Sequence, residues 1–103
     1  MNLDANNNKG RVMNNRTGWR ITKDFLYEGP NDLIDSVAGV QSYGFDLECG
    51  VLKFRLYDDD DILYYEGIAY DEFSVEAAYD YWQVDSGVTH STIYQNGEWV
   101  DYI

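Results

Sequence analysis

Residues 53–70 read KFRLYDDDDILYYEGIAY, and how this stretch is read decides the fold. On its left arm Phe54 and Leu56 alternate with polar neighbours, and its right arm is dense in aromatic and β-branched residues, so both arms have the composition of strand. Between them stand Asp58, Asp59, Asp60 and Asp61. Aspartate suits a turn because its short side chain bonds to nearby backbone N–H groups and tolerates left-handed dihedrals. The stretch is therefore a β-hairpin closing on the aspartates, and the domain is built on antiparallel sheet. Turn chemistry explains part of the run but does not call for four carboxylates.

Working outward towards the N-terminus, Tyr43, Phe45 and Leu47 alternate, which predicts a strand over 42–48, with a second over 51–57 beyond Cys49 and Gly50. WRITKDFLY predicts an opening strand at 18–27, and EGP then punctuates. In NDLIDSVAG the residues Leu33, Ile34, Val37 and Ala38 fall on one helical stripe, predicting a short helix over 31–38 with Gly39 at its left-handed end. Towards the C-terminus, Ser74 is a candidate helix cap, and Val75, Ala78 and Trp82 have helical spacing, predicting a helix over 74–84. VTHSTIYQ, Asn96-Gly97 and EWVDYI form a closing hairpin with a type I′ turn. The first 17 residues are polar, hold six asparagines and show no period, so they read as a flexible tail. Residues 18–103 then form one α+β domain: an antiparallel meander of about five to six strands with one or two short helices on one face.

At 103 residues the chain supports a single core. With 45% apolar and 17% aromatic residues it falls in the globular class despite a net charge of −12. Its apolar runs are too short to cross a bilayer, and MNLDANNN lacks the basic-then-apolar order of a secretory signal, so a soluble, intracellular protein is expected. The lone Cys49 can form neither an internal disulfide nor a cysteine-based zinc site and reads as a small half-buried apolar residue.

Charge is distributed unevenly. Residues 1–55 hold all seven basic side chains and seven acidic ones, whereas residues 56–103 hold twelve acidic residues and no lysine or arginine. Direct nucleic-acid binding is thereby disfavoured, because it needs cations to displace condensed counterions. Two carboxylates about 7 Å apart in water repel by about 0.6 kcal/mol before screening. A dozen uncompensated charges add several such terms, although solubility needs a net charge of only about 2 to 8. The surplus points to a partner that supplies the missing cations. Carboxylates two residues apart on a strand face stand about 6.6 Å apart, a spacing of the order found along a nucleic-acid backbone.

Other chemistries are poorly served. Counted from Asp58, a calcium loop of the EF-hand kind would need Gly at position 63 and Glu at position 69, where Leu63 and Ala69 stand. With nineteen acids on so small a chain, a glycosidase-like carboxylate pair carries no signal. His90 is the only histidine, on the same face of a predicted strand as Thr92, and reads as an exposed or core-edge residue rather than a base. The glycines are scattered singly, so there is no phosphate-cradling loop. No catalytic residue, metal or cofactor is expected. Eight of the ten tyrosines lie in the acidic half, where adjacent Tyr64 and Tyr65 must send one ring to each face of a strand. Outward tyrosines beside carboxylates suit a surface that grips guanidinium and ammonium groups.

The segments TGWRITKDFL, FRLYDDDDILYYEG and SGVTHSTIYQNGEWVDYI resemble a family of small uncharacterised proteins of bacteria, phages and mobile elements, in which a DDDG turn is followed by YYEG. The resemblance covers about 18–103 and carries no known activity with it. Asp61 stands where such proteins have Gly, adding a carboxylate where glycine would be conformationally easier. The resemblance implies a bacterial cytoplasm and makes a host-defence nuclease, of CRISPR or restriction type, the first target to consider.

The expectation is thus an acidic, non-enzymatic inhibitor that occupies the cationic nucleic-acid-binding surface of a basic partner protein, as a nucleic-acid mimic, acting as monomer or homodimer without membrane contact. Its docking residues would be Asp58, Asp59, Asp60, Asp61, Tyr64, Glu66, Asp71, Glu72, Glu76 and Asp80. The alternative is a small interaction module that docks through an aromatic sheet face, its acidity serving solubility alone.

Overall fold

A computed structural model describes residues 17–27, 35–46 and 51–103. In chain order the elements are β1 (Trp19–Asp24), β2 (Leu52–Tyr57), β3 (Leu63–Ala69), α1 (Glu72–Ser86), β4 (His90–Gln95) and β5 (Glu98–Asp101). The strands form one sheet in the order β1-β3-β2-β4-β5, every neighbouring pair antiparallel. One helix on a five-stranded antiparallel sheet makes an α+β fold with a meander-like strand order.

The aspartate hairpin joins β2 to β3 at the centre of the sheet, with Phe54 facing Gly67 and Leu56 facing Tyr65. Period-two alternation turns Ile21, Gly67, Phe54 and Ile93, a row of register partners across four strands, to one side. On that side α1 lays Val75, Ala78 and Trp82 over Trp19, Phe54, Leu56, Tyr65 and Ala69 to close the core. Trp82 meets Tyr65 at 4.9 Å and Trp19 at 5.9 Å between ring centroids, edge or tilted contacts that favour aromatic packing.

α1 begins earlier than predicted, and Ser74 is not its cap. Asp71 caps it, its Oδ1 accepting from the Ser74 backbone N–H at 2.9 Å. Ser74 is fully buried in the first turn, where its hydroxyl accepts from Gly18 N–H at 3.0 Å and donates to Asp71 at 2.9 Å. The helix ends at Gly87, left-handed with φ 82°, whose N–H reaches the Trp82 and Gln83 carbonyls. The closing hairpin has Asn96 at φ 53° and Gly97 at φ 85°, the two positive dihedrals of a type I′ turn.

The region before β2 differs most from expectation. β1 stops at Asp24, whose carboxylate accepts from the backbone of Leu26 and Tyr27 and also from Val37 at 2.9 Å, so residues 25–27 bend away. The strand predicted over 42–48 does not form in its described part. Gly44 at φ 79° breaks the alternation, leaving Tyr43 fully exposed and Phe45 buried, and only Gln41 makes a bridge, to Arg20. The helix predicted over 31–38 is likewise not helical in its described half: residues 35–37 are irregular and lead to a turn at Ala38-Gly39. Gly39 and Ser42 N–H donate to the Ile21 and Trp19 carbonyls, and Ile21 N–H donates to the Val40 carbonyl, so this segment covers the outer edge of β1. The tail at 1–16, the EGP turn, the first half of that helix and Cys49 lie outside the described residues.

Candidate functional site

The hairpin tip is organised by Asp58. Its Oδ1 accepts from Asp60 N–H at 2.8 Å and Ile62 N–H at 2.9 Å, the local bonding that makes aspartate a turn former. Asp61 takes the left-handed dihedral, φ 62°, in the place where glycine would be easier. Its Oδ1 lies 3.2 Å from His90 Nε2, and the His90 ring stacks on Tyr57 at 4.7 Å with an interplanar angle of 3°. Asp59 and Asp60 are exposed. One oxygen from each of Asp58, Asp59 and Asp60 lies within 4.8 Å of the others, but one Asp58 oxygen is already engaged by the turn. Leu56 faces Tyr65 while Tyr57 faces Leu63, so Tyr64 is the extra residue of a bulge, neither fully in nor fully out, with its ring edge-on to Tyr65. Burial, and then the Asp58 carboxylate beside it, push the Tyr64 hydroxyl upward in pKa.

α1 carries the second acidic group. Glu72, Glu76 and Asp80 recur every four residues as an exposed stripe, about 6 Å apart along the axis. Two of them are tied to the closing hairpin: the Tyr102 hydroxyl donates to Glu76 Oε2 at 2.8 Å and to the Glu72 carbonyl at 3.3 Å, and Gln95 Nε2 approaches Glu72 Oε2 at 3.5 Å. Burial and the Glu76 carboxylate push the Tyr102 pKa up to about 12. Asp71, expected at the docking surface, serves as the helix cap. The helix runs back to the end of the sheet that holds the aspartate turn, where Tyr65 donates to Ser86 Oγ at 3.0 Å and Thr89 N–H to the Tyr57 carbonyl at 2.8 Å. The stripe starts at the opposite end of the helix, where Ser74 meets Gly18.

Glu66 does not belong to this group. It lies on the other face of the sheet, 12% exposed, 2.9 Å from Arg55 Nε and 4.0 Å from Lys23 Nζ. That face gathers all four described cations. Arg55 lies 4.1 Å over the Trp99 ring and Lys53 5.6 Å over Tyr94, while Arg20 Nε donates to Gln41 at 2.7 Å. Long basic side chains thus roof the face that α1 leaves open. Among the described residues no lysine or arginine pairs with Glu72, Glu76 or Asp80. Residues absent from the sequence-based site are Phe73 and Val84, 72% and 89% exposed on α1. Both fall off the Val75, Ala78, Trp82 stripe, and helical spacing alone would have flagged them.

Fold and surface together define a small α+β protein with anions on its helical face and hairpin tip and cations on its opposite sheet face. No protein family, curated protein or solved structure matches the chain. No helix among the described residues is long and apolar enough to cross a membrane.

Proposed function

We propose that this protein is a non-enzymatic inhibitor that docks its acidic face on the cationic nucleic-acid-binding surface of a partner protein and excludes DNA or RNA from it. The observation that carries this reading is the exposed Glu72, Glu76, Asp80 stripe, with the described cations drawn to the far side of the sheet. Carboxylates arrayed this way, with no described lysine or arginine paired to them, steer a basic surface towards them and make association fast and salt-sensitive. A CRISPR effector or restriction nuclease of the bacterial cytoplasm is the first target to test, because such enzymes hold nucleic acid on cationic surfaces. The aromatic sheet face is the weaker docking surface, because Trp99, Tyr94 and Tyr57 are already engaged by Arg55, Lys53 and His90.

The test is DNA cleavage by purified CRISPR and restriction nucleases with increasing amounts of this protein. Inhibition that added duplex DNA relieves, that weakens with salt, and that is lost in the triple variant Glu72→Gln, Glu76→Gln, Asp80→Asn is the expected result. Inhibition unchanged in that variant, or no nuclease inhibited, overturns the proposal.

A further inference from the structure

Resting on that reading, we infer that the contact is made by the outward face of α1, and that the complementary surface is an apolar stripe bordered by lysine or arginine rather than a purely cationic one. A helix that only covers a sheet needs one apolar face. Here Val75, Ala78 and Trp82 provide it, yet Phe73, Asp80 and Val84 make a second line on the opposite side at i, i+7 and i+11, while the half-buried Ala77 packs against the core. This is the spacing by which amphipathic helices lie in grooves, and Phe73 and Val84 stand 72% and 89% exposed at its two ends. Eleven residues separate them, about 16 Å along the axis.

Charge selects the occupant. Glu72 and Glu76 border the line and Asp80 interrupts it, with no described lysine or arginine beside them. A second copy presenting the same face would oppose carboxylate to carboxylate, and nucleic acid would be repelled outright. A protein surface with ammonium or guanidinium groups around an apolar floor satisfies both parts of the line. The hairpin tip is less available for this work, since Asp58 holds the turn and Asp61 holds His90.

Two synthetic helical peptides test the inference by NMR titration of the full chain at moderate salt: one amphipathic, of Lys and Leu, the other with the same lysines and Ser in place of Leu. The Lys/Leu peptide is expected to bind roughly tenfold tighter or more, with resonance changes centred on residues 72–84. The Phe73→Ala, Val84→Ala variant, whose changes are both at exposed positions, is expected to lose that advantage while still binding the Lys/Ser peptide. Equal affinity for the two peptides, or changes centred on residues 58–61 or on the sheet face, overturns the assignment to α1 and leaves charge docking standing. Binding of neither peptide overturns both.

Discussion

At the scale of single residues, Gly67 shows how a neighbour from elsewhere in the chain sets what a position tolerates. A Cβ there would lie 2.5 Å from the Arg20 carbonyl oxygen and 2.5 Å from Phe54 Cζ, between two strands that flank it. Gly67→Ala should destabilise the fold by about 3 kcal/mol in urea denaturation, because neither backbone nor packed ring can retreat freely. An unchanged midpoint would mean that the Phe54 ring swings aside. Asp61 presents the opposite case. Asp61→Gly should raise stability by about 0.5 kcal/mol through relief of its left-handed dihedral, since the contact with His90 that it loses is 85% exposed on the carboxylate side and worth little. A fall of a full kcal/mol or so would show instead that the contact with His90 holds the hairpin. The sequence marked Asp61 as a residue in glycine's place, because turn preferences are local. It could not explain Gly67, because the ring that crosses it comes from β2.

Among elements, α1 is the best anchored. The chain from Gly18 N–H through the Ser74 hydroxyl to the Asp71 carboxylate ties the helix start to the residue before β1. Asp71→Ala should therefore cost about 2 kcal/mol, at the upper end for a cap, because it also removes the acceptor of a buried hydroxyl, whereas Asp71→Asn should cost much less. Equal losses for the two in thermal unfolding would refute the capping role. Tyr102 anchors the helix to the chain beyond β5, and its titration reports that contact. Its folded pKa of about 12 lies above the ordinary tyrosine value of 10. The unfolded state therefore releases its proton first. The stability contributed by the neutral hydroxyl is whole below about pH 10 and is lost as pH rises towards 12. Glu76→Gln removes the charge beside it and should lower that pKa, which an ultraviolet titration compared with Tyr102→Phe would resolve. An unmoved titration would assign the shift to burial alone.

For the whole molecule, the separation of charge by face has a thermodynamic consequence. Glu72, Glu76 and Asp80, with Asp59 and Asp60 at the tip, repel one another through water, and salt screens that repulsion. Stability should rise by about 1 kcal/mol between low and moderate salt, and less in the triple variant Glu72→Gln, Glu76→Gln, Asp80→Asn. A salt response identical in the two proteins would show that the acidic stripe carries no strain for a partner to relieve.

The sequence by itself determined the elements whose signals are local. The aspartate hairpin, the Asn96-Gly97 hairpin, a helix bearing Val75, Ala78 and Trp82, and the α+β class all follow from period and turn chemistry. It also determined that the anions concentrate after residue 55. Only the tertiary structure decided that β1 pairs with β3 rather than with its sequence neighbour β2, since strand order depends on contacts between distant segments that alternation does not encode. That pairing let residues 39–42 cover an edge instead of adding a strand. Tertiary structure likewise removed Glu66 and Asp71 from the acidic surface, one to an ion pair with Arg55 and the other to a helix cap. A carboxylate's availability depends on what the fold brings within hydrogen-bonding reach, and linear order alone does not state it.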